Sequence, residues 1–390
     1  MLEREIVYLI FITLGIFLVP FIVPVFRLPV AVGELLFGII LVFIFKKLGI
    51  NTEEFKLLNF LSFLGFSLLM FLAGLEIDWN KLEELTSKEK WVITLVVIFN
   101  FLLGFLAVFY LGLPPQFVFL LGALGIGLML SVIREIRIDE HAKQIILITG
   151  SFGEIATLVG LTGYDLYLSF GVSKTFFVHL VLILLFGVAF IFLLKVLKFL
   201  VWLFPEAIAS LIVNESKAAI DIRTSFALML LFMSFTSAVH IEPILGAFIA
   251  GTLLGFIFRE KDSFEEKLTA LGYGFLIPFF FVQVGFNFDT RIFSEINLIK
   301  TALLLWLVIF GVKLVSSLWF RLVGFSVGQI VMAALLFSFP FTILIAVAKI
   351  LFEKGVWNEA LFSMVVLLTI LTSVIYPLTL KIFFSEREKG

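Results

Sequence analysis

A chain of 390 residues that is 62% hydrophobic and only 15% charged, with a mean hydropathy of +1.20, is too apolar for a soluble globular domain and reads as an integral membrane protein. A net charge of −1 gives no reason to expect nucleic-acid binding. The absence of cysteine excludes disulfides, thiolate metal sites and thiol nucleophiles.

The chain opens with "MLEREIVYLIFITLGIFLVPFIV", charges ahead of an apolar run with no small-residue cleavage site, which predicts a retained first helix. Apolar stretches of roughly 17 to 25 residues match the hydrocarbon core of a bilayer. Thirteen such spans follow, at about 5–26, 29–46, 57–77, 91–112, 116–134, 143–163, 175–203, 223–240, 242–258, 267–287, 298–320, 328–350 and 358–382. The expected fold class is therefore an all-α polytopic membrane protein. Short charged loops such as "REIRIDEHAK" separate the spans, and the chain ends in "SEREKG", so 1–390 reads as a single membrane domain without a soluble regulatory domain.

Orientation follows from the basic residues of alternate loops. One set holds 18: Arg27, Lys81, Lys88, Lys90, Arg134, Arg137, Lys143, Lys195, Lys198, Lys217, Arg223, Arg259, Lys261, Lys267, Arg321, Lys381, Arg387 and Lys389. The other set holds 9, and Lys313, inside a span, completes the 28. This predicts an N-terminus outside and a C-terminus in the cytoplasm, with the protein in the cell (inner) membrane.

Two matches relate the halves of the chain. Gly33, Gly38 and Phe43 in "PVAVGELLFGIILVFIF" correspond to Gly246, Gly251 and Phe256 in "PILGAFIAGTLLGFIF", and "GLEID" (74–78) corresponds to "GFNFD" (285–289). The offsets, 246 − 33 = 213 and 285 − 74 = 211, nearly agree. They equate spans 2 with 9 and 3 with 10. A seven-span offset reverses orientation, which predicts inverted repeats with a binding site between them at the midplane.

Two ionisable side chains lie deep in predicted spans: Glu154 in "QIILITGSFGEIATLVGL" and Lys313 in "TALLLWLVIFGVKLVSSLWF". A charge at the centre of a membrane helix costs roughly 2.5 to 3.5 kcal/mol on insertion scales, so each needs a partner or a wet cavity. The simplest economy is a mutual ion pair, breakable by a proton or a cation. The bland alternatives are that Lys313 snorkels toward the interface near Arg321, and that Glu154 is a permanently protonated acid bonded to Ser151 or Thr157. Glu34, Glu76, Asp78 and Asp289 lie near span ends, where headgroup or capping roles are expected, and His179 reads as a packed or cavity histidine.

The fifth span carries Gly122, Gly125 and Gly127 in "LLGALGIGLML", and the twelfth carries Pro340 between Ser338 and Thr342 in "LLFSFPFTILIA". Both invite a discontinuous helix, whose half-helix ends can face ions; a packing face and a simple proline kink are the plain alternatives. Repeat symmetry also sends Lys313 to the vicinity of Asn100, since 313 − 212 = 101. No Ser/His, Asp/Asp or HExxH arrangement suggests an enzyme, and no motif suggests a cofactor.

The stretches "RLPVAVGELLFGIIL", "LLMFLAGLEID", "PILGAFIAGTLLG", "IPFFFVQVGFNFD" and "VIFGVKLVSSL" occur in this order along the chain, which thereby resembles the cation:proton antiporter-2 group. The resemblance implies thirteen helices and two crossed broken helices, spans 5 and 12. It implies a core of spans 4–6 and 11–13 (about 91–163 and 298–382), a dimerisation part of spans 1–3 and 8–10 (about 5–77 and 223–287), span 7 as linker, and a homodimer. It also implies that the sixth-span acid, Glu154, binds a monovalent cation and a proton, and that Lys313 pairs with it. The usual acidic or amide residue before that acid is Gly153 here, and the usual hydroxyl pair of the fifth-span crossing is replaced by "GALGIG". Ser151, Thr157, Asn100, Ser338 and Thr342 are the remaining supporting polar residues.

The expected activity is exchange of Na+ for H+, electroneutral because only one acid is available, by alternating access. The rivals are exchange of K+ or another solute on the same scaffold, and a non-transporting membrane partner or sensor.

Overall fold

The computed structural model describes residues 2–26, 28–48, 55–77, 79–133, 136–203, 220–239, 241–257 and 262–384. Asp78 lies outside them, as do Arg27, Arg134, Lys217, Arg259, Lys261, Arg387 and Lys389 of the orientation count.

The described chain is helical, without a β-sheet. The helices are α1 (Leu2–Ile22), α2 (Val30–Lys47), α3 (Lys56–Leu75), α4 (Trp79–Glu84), α5 (Ser87–Leu111), α6 (Phe117–Gly122), α7 (Gly127–Ile133), α8 (Glu140–Phe170) and α9 (Lys174–Leu203). They continue as α10 (Ile220–Ala238), α11 (Pro243–Ile257), α12 (Asp262–Leu271), α13 (Ile277–Phe286), α14 (Ile296–Ser317), α15 (Val327–Phe337), α16 (Phe341–Glu353) and α17 (Glu359–Phe384). Among the described residues eight segments are long and apolar enough to cross a membrane, and four shorter apolar segments accompany them. Helices are the expected solution, because a lone membrane segment can satisfy its backbone groups in hydrocarbon only internally.

Local signals set the ends of the helices that matter below. Thr86 caps α5 in a capping box with Glu89, and Gly112 ends it in the left-handed region at φ 63°. Ser326 and Gln329 form the equivalent box at the start of α15. A π-helical segment, Gly272–Leu276, joins α12 to α13.

The chain divides into two compact units, one of Met1–Asn59, Glu84–Thr157 and Phe281–Gly390, the other of Phe60–Glu83 and Leu158–Phe280. In the first, Tyr8, Phe45, Phe55 and Phe286 form an aromatic cluster with centroids 5.5 to 6.3 Å apart. In this unit α2 also crosses the end of α13 at two glycines. A Cβ on Gly38 would overlap the Val282 carbonyl, and one on Gly285 would overlap that of Leu35. In the second unit α11 crosses α3 in the same manner: a Cβ on Gly251 would overlap the Phe71 carbonyl, and one on Gly74 that of Phe248. Backbone-to-backbone contact of this kind is how membrane helices gain packing without a hydrophobic driving force. The four glycines are among the six that the two sequence matches equate.

Candidate functional site at the helix break

The site is built in the first unit around the interrupted fifth span. Helix α6 ends at Gly122, Ala123 has left the helix (φ −58°, ψ 131°), and α7 resumes at Gly127. The twelfth span is interrupted likewise: α15 ends at Phe337 and α16 resumes at Phe341, with Pro340 unable to donate a helical hydrogen bond. The two breaks touch. A Cβ on Gly125 would come 3.3 Å from Pro340 Cβ, and one on Gly127 would come 3.2 Å from Thr342 Oγ1. Both expected discontinuous helices are therefore present, and Gly125 and Gly127 give room for the approach.

Lys313 on α14 is completely buried and points at the C-terminal end of α6. Its ammonium donates to the carbonyls of Leu121 (2.8 Å) and Ala123 (2.6 Å) and to Asn100 Oδ1 (3.1 Å). Asn100, also fully buried on α5, donates through Nδ2 to the Gly122 carbonyl. Three successive carbonyls at the end of a half-helix are thus held by side chains. This is the end where the helix dipole favours a cation. Lys313 does not snorkel, and the vicinity to Asn100 expected from repeat symmetry is a direct hydrogen bond.

Glu154 lies on α8 at the other end of the same break. Its Oε2 accepts a long 3.4 Å hydrogen bond from the Ile126 backbone N–H, and its Oε1, fully buried, has no hydrogen-bond partner. Neither Ser151 nor Thr157 serves it: Ser151 Oγ donates to the Leu147 carbonyl and Thr157 Oγ1 to that of Gly153. Gly153 packs instead, since a Cβ there would overlap Leu124.

The ion pair expected between Glu154 and Lys313 is not formed. The ammonium has three N–H donors and finds three acceptors on α5 and the α6 end, so its hydrogen-bonding capacity is already filled. Acid and amine face opposite ends of one four-residue interruption, 123–126, the amine on its carbonyl side and the acid on its N–H side. Of these partners the sequence pointed only to Asn100, because the others are backbone atoms that carry no residue signature.

The remaining expected residues separate. Ser338 Oγ donates to the Ala334 carbonyl, while Thr342 Oγ1 is buried without a partner beside Gly127. Glu34 is 4% exposed, more buried than a headgroup role implies, whereas Asp289, 8% exposed, takes the expected capping role by accepting from the Arg291 backbone N–H at the start of the 290–294 turn. Asp289 accepts from the Arg291 side chain, and Arg291 reaches on to Glu359 (3.2 Å). His179 packs on Phe170 with centroids 4.7 Å apart and bonds to the Thr175 carbonyl. Lys349, near the end of the predicted twelfth span and not singled out from the sequence, is buried on α16 and paired with Glu353 at 3.0 Å. The i,i+4 spacing was the available signal.

The profile of the family described as "Sodium/hydrogen exchanger, transmembrane" matches residues 11–386. The chain belongs to that family. It is similar to the putative Na+/H+ antiporter YjbQ of Bacillus subtilis, 26% identical over the whole of this chain and 65% of that protein. It is likewise similar to the Na+/H+-K+ antiporter GerN of Bacillus cereus, 27% identical over 93% of this chain and 92% of the relative. Its fold matches that of the sodium proton antiporter MjNhaP1 from Methanocaldococcus jannaschii, with a TM-score of 0.66 over 97% of this chain and 96% of that one at 16% identity. The all-helical membrane architecture expected from the hydropathy pattern is thus that of a sodium/hydrogen exchanger.

Proposed function

We propose that the chain is a transporter rather than an enzyme, and that it exchanges Na+ for H+ at Glu154 by alternating access. One observation carries the reading. Glu154 is fully buried, has one long N–H contact, and has no cationic side chain in ion-pair range among the described residues. Leaving a charge uncompensated in such a place costs several kcal/mol, so the carboxyl group must hold either a proton or a cation to remain there. Proton and cation then compete for one pair of oxygens, which is the coupling an exchanger needs.

Lys313 enters as a fixed cap on the end of α6 rather than as an exchangeable counter-ion. With one carboxyl group as carrier, both loaded forms are neutral at the site, and exchange is one-for-one and electroneutral. The paired glycine crossings, α2 on α13 and α11 on α3, support inverted repeats. The names of the relatives favour Na+, and that of GerN adds K+ as a second cation. The dimerisation part assigned to spans 1–3 and 8–10 and the cytoplasmic C-terminus in the inner membrane belong to the same reading.

The test is proton flux in proteoliposomes under gradients of Li+, Na+, K+ and Rb+. Wild type is expected to move protons against Na+ without current, and Glu154→Gln to fall to the level of protein-free liposomes while keeping its thermal stability. Cation-driven flux that survives Glu154→Gln would sink the proposal.

A further inference from the structure

Buried hydroxyls on membrane helices have a standard outlet, the carbonyl four residues earlier in the same helix. Thr149, Ser151, Thr157, Thr162, Ser338 and Thr369 all use it here. Thr342 does not. It is the second residue of α16, so the residue four positions earlier is Ser338, in the break and outside the helix. Its Oγ1 is left buried with no partner, with the side chain 5% exposed. Ser62, Ser317 and Ser373 also carry unpartnered hydroxyls, but they lie in regular helix or at its last residue, and none is at either interruption.

The position of the hydroxyl connects it to the acid. A Cβ on Gly127 would stand 3.2 Å from Thr342 Oγ1, and a Cβ on Gly125, two residues earlier, would stand 3.8 Å from Glu154 Oε2. The Gly125 carbonyl oxygen in turn lies 3.7 Å from where a Cβ on Gly150 would be, one turn before Glu154 along α8. Two buried, unpartnered oxygens, Glu154 Oε1 and Thr342 Oγ1, therefore flank the same glycine-lined stretch from two different helices. A carboxylate and a neutral hydroxyl oxygen are the hard donors that a small dehydrated cation takes.

We infer that Thr342 supplies a neutral oxygen ligand to the cation held by Glu154, and that Gly127 keeps that ligand accessible. The inference rests on the assignment of Glu154 as the carrier. It makes Thr342 a determinant of cation affinity and selectivity and leaves proton binding to the acid alone.

Proton release on cation addition, followed with the purified full-length protein in weakly buffered detergent solution, separates the two roles. NaCl, LiCl and KCl are the probes. Thr342→Val keeps shape and removes the oxygen; the half-saturating Na+ concentration is expected to rise about tenfold or more, with the protons released at saturation unchanged. Thr342→Ser is expected to stay within about threefold of wild type. Gly127→Ala, which crowds the hydroxyl, is expected to weaken K+ more than Li+. A Thr342→Val protein that matches wild type for all three cations overturns the inference while leaving Glu154 as carrier. A folded wild type that releases no protons with any of the three overturns both. If Thr342→Val does not fold, Gly127→Ala decides, and unchanged half-saturation and selectivity there overturn the inference.

Discussion

Lys313 and Glu154 show how a single break can hold an amine and an acid without their meeting. The amine is satisfied by the Leu121 and Ala123 carbonyls and by Asn100, and the acid by little more than the Ile126 N–H. Removing the amine should therefore be a matter of helix-end stability. Lys313→Met leaves carbonyls unpaired in a dry interior, and a loss of about 2–5 kcal/mol is expected, read as a fall in thermal stability. Glu154→Gln should not rescue it. A double-mutant cycle between the two is expected to give a coupling below about 1 kcal/mol, whereas breaking a direct buried ion pair costs 3–5 kcal/mol. Strong rescue would show that the pair forms in solution after all.

At the scale of elements, glycine decides which helices come together. Adding a methyl group at Gly38 or Gly251 places it on a neighbouring backbone carbonyl, which cannot rotate aside. Gly38→Ala and Gly251→Ala should each destabilise the protein by about 1–3 kcal/mol, measured as thermal unfolding in detergent. Gly311, on the same helix as Lys313, has nothing within 4 Å of a prospective Cβ. Gly311→Ala should be neutral or stabilise by up to about 1 kcal/mol, because a helix interior prefers alanine. An equal loss at all three positions would mean that the crossings carry no special weight. The clasp from the exposed Arg291 to the buried Asp289 and the exposed Glu359 is a different kind of contact. The Asp289 carboxylate pushes the Arg291 guanidinium above its ordinary range, so the clasp neither tightens nor loosens through the arginine's own titration near neutral pH. Arg291→Gln should shift stability little, and less still at high salt.

For the molecule as a whole, the absence of cysteine makes orientation directly measurable, since a single introduced cysteine is the sole thiol. Pro115 lies in the connection between α5 and α6, and Lys88 at the start of α5, both exposed. With 18 basic residues in one set of loops against 9 in the other, Pro115→Cys should react with an impermeant maleimide on intact cells, and Lys88→Cys only after permeabilisation. The reverse pattern would invert the topology and with it the direction assigned to each face of the site.

Hydropathy alone determined that the chain is a helical membrane protein. Two short glycine-bearing matches hold six glycines, four of which lie where α2 crosses α13 and α11 crosses α3, because close backbone approach in lipid demands glycine whatever else surrounds it. Gly122, Gly125, Gly127 and Pro340 marked both interruptions for a related reason: a helix without side-chain support or without a backbone donor yields at that point. What stayed invisible, apart from Asn100, was the set of backbone partners. Lys313 and Glu154 were conspicuous as misplaced charges, and charge alone suggested joining them. Tertiary structure decided otherwise, because a broken helix exposes its own carbonyls at one end and its own N–H groups at the other, and those backbone charges claimed the amine and the acid separately.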